Sequence, residues 1–316
     1  MLFRVSTMSA GPLFAGAAMI MFSLNDVAMK VLSSGYALHE LVLIRSIVGL
    51  AVVVCIMTPL NGTFSLLKTR RLGMHVIRAS FVVFSNLCFF LGLAALPLAD
   101  TVAIFFVAPF LITIASVLFL GEAVGQRRWS AIAFGMIGVL IVLRPGTEAF
   151  QLASLLPLAA AFGYSGLHIM TRFLRDTENA VSMTFYIQIV FIVVCVLFGL
   201  FFGDGKLSEQ SNASLAFLFH EWRIPDATDL PLMMILGIFA SVGGYCISQA
   251  YRLGEAAIVA PVEYLTMPLS IAWGVLVFGT WPDAVAWCGI GLILSSGLYT
   301  VWRENQLQKT MVRSHT

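Results

Sequence analysis

The sequence is poor in charge. Asp, Glu, Lys and Arg make up 11% of its 316 residues, against about 25% in a soluble domain. Together with 59% hydrophobic residues and a mean hydropathy of +0.95, this scarcity excludes an ordinary soluble globule and points to a polytopic membrane protein. No basic block marks a nucleic-acid partner, and the net charge is only +2. No GxxxxGK loop is present to cradle ATP phosphates, which sets an ATP-driven pump aside. Cys55, Cys88, Cys195, Cys246 and Cys288 stand singly in apolar segments, with no CxxC or CxxH spacing. They read as small buried hydrophobes, and no metal or cofactor is expected. The histidines are as scattered, at 39, 75, 168, 220 and 315, with no HExxH and no GxSxG. An intramembrane lipid phosphatase or acyltransferase would need clustered nucleophile, base and ligands. That enzyme reading is therefore remote. A cleavable signal peptide is also set aside, because no A-x-A site follows a short apolar region.

What is present is a succession of apolar runs. A ruler of about 20 residues per span gives ten segments, near 12–33, 40–60, 73–95, 99–120, 127–144, 151–171, 181–203, 231–252, 257–279 and 282–303. Connections are short except 204–230, whose "ASLAFLFHEW" could lie along the membrane surface. Its Asn212-Ala-Ser214 matches a weak glycosylation sequon. With the N-terminus taken as cytoplasmic, inside loops hold twelve Lys or Arg and outside loops three, Arg144, Lys206 and Arg223. This bias puts both termini in the cytoplasm. Trp129, Trp222, Trp281 and Trp302 fall at span ends, as an aromatic belt would place them.

The two halves of the chain repeat. "LPLADTVAIFFVAPFLITIASVLFLGEAVGQRRW" lies over "LGEAAIVAPVEYLTMPLSIAWGVLVFGTWPDAVAW" at an offset of 158 residues. Each stretch is a span with an internal proline, a Leu-Gly or Phe-Gly end, and another span. At the front of each half the offset is near 142, which places Asp26 on His168 and Lys30 on Arg172. The longer 204–230 connection accounts for the change. Five spans per half is an odd number, so the halves, 1–148 and 149–316, are expected to be inverted in the membrane. Inverted repeats are a mark of secondary transporters working by alternating access around a central site.

This layout, with "ALPLADTVAIFFVAPFLITIASVLFLGEAVGQRRWSAIAFGMIGVLIVLRPG" and its partial repeat "QAYRLGEAAIVAPVEYLTMPLSIAWGVLVFG", resembles the drug/metabolite transporter superfamily, ten-helix EamA type, over nearly the whole chain. The run Ala260 to Tyr264 resembles the branch related to S-adenosylmethionine and riboflavin carriers. Thr280 departs from the glutamate that many relatives repeat after Glu122. The resemblance implies a central cavity lined by helices 1, 3, 4, 6, 8 and 9. It implies a small polar or zwitterionic substrate, amino-acid-like or S-adenosylmethionine-like, with riboflavin or another aromatic cofactor as the alternative. Export of amino acids or xenobiotics is a further alternative. The expected location is the cell's inner membrane. A passive channel would differ by gradient-driven flux without counterflow exchange.

Ionisable groups within a bilayer are costly unless paired or facing water, which makes them candidates for function. Asp26 and Lys30 sit four residues apart in the first span, able either to neutralise each other or to meet substrate. Arg45 offers a bidentate contact to a carboxylate, or a pairing with Glu40 or Asp26. Arg78, near a helix start, reads as snorkelling or helix pairing. Glu263, between Pro261 and Pro268, lies where loosened helical bonding opens a cavity. Asp26 and Glu263 are the proton-coupling candidates. Tyr264, Asn25, Gln249, Tyr245 and Trp273 complete the substrate-binding set. Ser23, Asn86 and Gln188 read first as interhelical hydrogen bonders, and Phe22, Tyr164 and Tyr251 as pocket walls or packing. Gly135, Gly138, Gly289, Gly291 and Gly297 assign helices 5 and 10 to peripheral packing or a homodimer contact. Partners are thus the bilayer, a small-molecule substrate and, in one reading, a second copy.

Overall fold

A computed structural model describes residues 7–121, 124–147, 150–207, 211–254 and 259–314, and these contain helices and turns but no strand. The α-helices are α1 (Thr7–Leu32), α2 (Leu38–Val52), α3 (Thr58–Asn61), α4 (Leu72–Ala95), α5 (Leu98–Phe105), α6 (Ala108–Leu120) and α7 (Gln126–Leu143). They continue as α8 (Leu155–Leu174), α9 (Ala180–Phe202), α10 (Ala213–Phe219), α11 (Leu230–Leu253), α12 (Thr266–Phe278) and α13 (Ala284–Ser314). Seven stretches are long and apolar enough to cross a membrane, and three shorter apolar helices cover Trp129–Leu143, Val262–Phe278 and Ala284–Tyr299. Helices satisfy every backbone polar group internally, as lipid requires. Their outer faces carry bare apolar side chains such as Leu60, Leu200 and Leu276, each at least 75% exposed. The protein is a multi-pass membrane protein.

Proline punctuates the spans. A π-helical turn, Val53–Met57, joins α2 to α3 just ahead of Pro59, and Thr58 Oγ1 donates to the Val53 carbonyl at 2.8 Å. One span breaks between α5 and α6, with Pro109 in the first turn of α6. Its counterpart begins as a 3-10 turn, Ala260–Leu265, before α12. Gly121 and Gly279, 158 residues apart, close α6 and α12 in the same left-handed conformation, φ 67° and 65°. Glycine adopts that geometry without a Cβ penalty. Glu122 lies outside the described residues.

The bundle is built from pairs that cross the midpoint of the chain. The most extensive contacts join α1 to α11, α4 to α8, α7 to α13, α2 to α11 and α2 to α9. Where α7 meets α13, a Cβ added to Gly138 would lie 2.6 Å from the Gly289 carbonyl, and one on Gly289 2.7 Å from the Gly138 carbonyl. Gly135 and Gly297 are likewise covered by Ser296 and Tyr264, whereas Gly291 faces open space. Four of the five glycines thus serve packing within the chain. The 204–230 connection does not simply lie outside the bundle. Asn212 caps α10, accepting from the amides of Ser214 and Leu215, and Ser214 Oγ donates to the Leu91 carbonyl of α4 at 2.6 Å.

Candidate functional site

A cavity opens in the middle of the bundle. Its wall comes from all six expected helices and also from α2 and α9, through Arg45, Ile187, Gln188 and Phe191. Seven aromatic side chains contribute to it, Phe22, Phe89, Phe90, Phe105, Phe106 and Phe191 with Tyr164. Four ionisable side chains interrupt this surface, Asp26, Arg45, Arg78 and Glu263, each no more than 8% exposed.

Asp26 and Arg45 lie toward the end of the bundle that carries the α1–α2 turn. Asp26 is on the last two turns of α1, and its described polar contact is with Asn25 Nδ2, at 3.4 Å from Oδ1. The ion pair read between Asp26 and Lys30 is not made. Lys30 turns away and donates to the Leu93 and Leu96 carbonyls at 2.6 and 2.7 Å. A cation at the C-terminal end of α4 complements the orphan carbonyls there. Arg45 pairs with neither Glu40 nor Asp26 within 4.0 Å. Its Nη2 donates to Asn86 Oδ1 at 3.2 Å, and its guanidinium lies over the Phe90 and Phe191 rings, 5.5 and 5.0 Å from their centroids. Arg45 Nε is buried without a hydrogen-bond partner.

Arg78 and Glu263 lie toward the opposite end, and both are surrounded by partners. Arg78 does not snorkel; it is 2% exposed. Its Nε donates to Thr171 Oγ1 at 2.8 Å, Nη1 to the Met183 carbonyl and Nη2 to Ser248 Oγ, both at 3.2 Å. One side chain on α4 thus ties α8, α9 and α11 together. Glu263 accepts from Tyr251 at Oε1, 2.5 Å, and from Tyr164 at Oε2, 3.0 Å. The rings of both tyrosines pack on His168, with centroids 4.0 and 4.2 Å away. His168 is 3% exposed and neither ring nitrogen has a hydrogen-bond partner.

Asp26, Asn25, Arg45 and Glu263 therefore meet in one cavity. Four other sequence candidates do not reach its wall. Tyr264 stacks flat on Phe106, 4.9 Å between centroids, on the side covered by Gly297. Gln249 accepts from Arg252 at 2.7 Å and lies 3.5 Å from Tyr245 Oη. Tyr245 meets Phe14 edge-on, and Trp273 Nε1 approaches Ser23 Oγ at 3.4 Å. The sequence reading undervalued Arg78, Gln188, Asn86 and Ser248, all cavity residues. A basic residue in an apolar stretch was the available signal for Arg78. Of the six cavity phenylalanines only Phe22 is among the sequence candidates; nothing in the sequence separates the other five from the rest of its 25.

The chain is similar to known proteins. The chain is 30% identical over 256 residues, 78% of its length and 79% of the relative's, to a riboflavin transporter of Rhizobium johnstonii. It is 28% identical to a riboflavin transporter of Vibrio cholerae, covering 84% of each chain. An S-adenosylmethionine uptake transporter of Rickettsia felis is 26% identical over 94% of this chain and 93% of its own. A solved crystal structure superposes with a TM-score of 0.71 at 17% identity, covering 95% of this chain and 99% of the other, and so shares the fold. The model of the EamA-like transporter family matches twice, at residues 9–144 and 151–302. The chain belongs to the EamA-like transporter family.

Proposed function

We propose that this protein is a secondary-active carrier of a small organic metabolite with a flat polar ring system, of the riboflavin kind, across the inner membrane. One observation carries the substrate class. The cavity offers a phenylalanine-lined slot in which Asp26 and Arg45 keep hydrogen-bonding capacity unused. Aromatic walls stack planar rings, and each such contact is worth about 0.5–1.5 kcal/mol beyond area burial. Arg45, already seated between two rings, supplies donors for ring carbonyls or a carboxylate. The six phenylalanines move the riboflavin-like alternative ahead of the amino-acid-like reading. A second reading, S-adenosylmethionine, is favoured by the opposite signs of Asp26 and Arg45, which suit an ammonium or sulfonium and a carboxylate.

The layout supporting this reading is ten spans in two inverted repeats, 1–148 and 149–316, both termini cytoplasmic. The double family match, the seven long and three shorter apolar helices, and the twelve-to-three basic bias support it. In that orientation Asp26 and Arg45 face the outer half of the cavity, and Arg78 and Glu263 the inner half. Protonation of a cavity carboxyl couples flux to the proton gradient. Asp26, with one long hydrogen bond, has more freedom to exchange a proton than Glu263, held by two phenols. The test is counterflow in proteoliposomes. Radiolabelled riboflavin should accumulate against internal unlabelled riboflavin and be competed by S-adenosylmethionine weakly or not at all. Counterflow of S-adenosylmethionine alone favours the second reading. Gradient-driven flux without counterflow exchange makes the protein a channel. Asp26→Asn should flatten the pH dependence of flux; an unchanged profile removes proton coupling from that residue.

A further inference from the structure

Two polar clusters outside the cavity tie the halves of the chain together, one at each end of the bundle. At one end Tyr36, in the turn between α1 and α2 and 1% exposed, donates to Asp229 Oδ2 at 2.7 Å. Its hydroxyl also accepts from the Asp226 amide at 3.0 Å, and the Arg223 guanidinium lies 4.3 Å from its ring centroid. At the other end Glu178, in the turn between α8 and α9 and 8% exposed, accepts from Thr69 Oγ1 at 2.6 Å. His75 Nε2 approaches its other oxygen at 3.2 Å. Next to it Asn179 Nδ2 donates to the Leu66 carbonyl at 3.0 Å, and Tyr186 Oη to the Leu67 carbonyl at 2.9 Å.

The two clusters correspond under the internal repeat. At the 142-residue offset that places Asp26 on His168, Tyr36 falls on Glu178. Each stands in the turn between the first and second helices of its own half. Each grips the segment leading into the third helix of the other half: Asp229 directly precedes α11, Thr69 lies three residues before α4, and His75 is in the first turn of α4. Leu38–Leu60 is one span, so the α1–α2 turn and the α3–α4 segment lie at opposite ends. The chemistry of the two ties differs, a phenol on one and a carboxylate on the other, but their place in the topology is the same.

We propose that these are the two gates of the transport cycle, each holding one mouth of the cavity closed and breaking when that mouth opens. This rests on the alternating-access reading. A carrier must never open both ends together, and inverted repeats achieve this by exchanging conformations between equivalent halves. A tie at each end, made between equivalent segments, can be broken on one side while kept on the other.

Paired spin labels test the proposal directly, on a background with the five cysteines replaced, in lipid nanodiscs. Ser34 with Thr228 reports one end, and Ser65 with Asp176 the other; all four side chains are exposed. Tyr36→Phe should add a longer-distance population to the 34–228 pair and leave 65–176 unchanged or narrowed. Glu178→Ala should do the reverse. Should Glu178→Ala lower the yield of folded protein, Thr69→Val removes the shortest bond of that tie and should act in the same sense. Widening of both ends by any one variant, or of neither end by all three, overturns the proposal. Counterflow in the wild type is measured separately: its absence counts against the carrier reading, while the distances judge the gates.

Discussion

The two ends of the cavity each carry one cation and one carboxylate, and they differ in how far those charges are satisfied. Arg78 and Glu263 have every charged nitrogen or oxygen facing a named partner, drawn from α8, α9 and α11. Arg45 and Asp26 have one hydrogen-bond partner each, and Arg45 Nε has none. Burying a charge without partners is costly. A site that leaves such groups open stores binding capacity for something absent from the chain itself. Under the function proposed above, the saturated pair serves as frame and the unsaturated pair as reader of the substrate.

The largest effect should come from the frame. Arg78→Ala removes three buried hydrogen bonds at once, those to Thr171 Oγ1, the Met183 carbonyl and Ser248 Oγ. Losing hydrogen bonds to a charged group should cost about 3 kcal/mol or more, seen as a large fall in Tm and in monodisperse yield. Arg78→Lys should rescue only part of it, because an ammonium cannot reproduce the fork. A smaller effect is expected in the slot. Phe191→Leu should weaken riboflavin binding several-fold, on the order of 1 kcal/mol for one lost ring contact; because Phe191 is buried in the core, Tm should also fall, by less than in Arg78→Ala. Equal weakening by Phe81→Leu, on an exposed α4 position outside the wall, would dissolve the slot as the site.

The smallest effect belongs outside the spans. Arg144, after α7, donates to Asp283, ahead of α13. That hydrogen bond holds the Asp283 carboxyl below its usual range. The tie therefore stabilises the fold above the ordinary Asp pKa of about 4 and fades as pH falls through the lowered value. Both groups meet solvent, so Arg144→Gln should lower Tm only slightly at neutral pH. The difference from wild type should vanish in acid; a difference that grows in acid would reverse the assigned sign.

Much of the fold was legible because lipid imposes a simple rule on sequence: long apolar helices with few charges. The repeat was visible in paired punctuation, and Gly121 and Gly279 show the physical reason, a left-handed cap needed twice. Asp26 stood out as a lone acid in an apolar run. Sequence spacing could not say which way a helix is rotated. Lys30, four residues on, reaches backbone carbonyls of α4 instead of Asp26. Tyr264 follows Glu263 by one residue and faces Phe106 and Gly297 instead of joining the wall. Of the two readings for Arg78, helix pairing holds and snorkelling does not, because its azimuth points it inward to three other helices. The aromatic slot is assembled from α1, α4, α5, α9 and the α5–α6 break, and no local pattern marks it.

The most direct test of reader against frame is a riboflavin-binding titration on the detergent-purified protein, with Tm recorded alongside. Asp26→Asn and Arg45→Met should weaken binding about 10-fold or more, roughly 1.4 kcal/mol or above, while Tm stays within a few degrees. Glu263→Gln should lower Tm and leave the affinity of the remaining folded protein within about twofold, roughly 0.4 kcal/mol. Binding lost in Glu263→Gln at unchanged Tm, and kept in Arg45→Met and Asp26→Asn, would exchange the two roles.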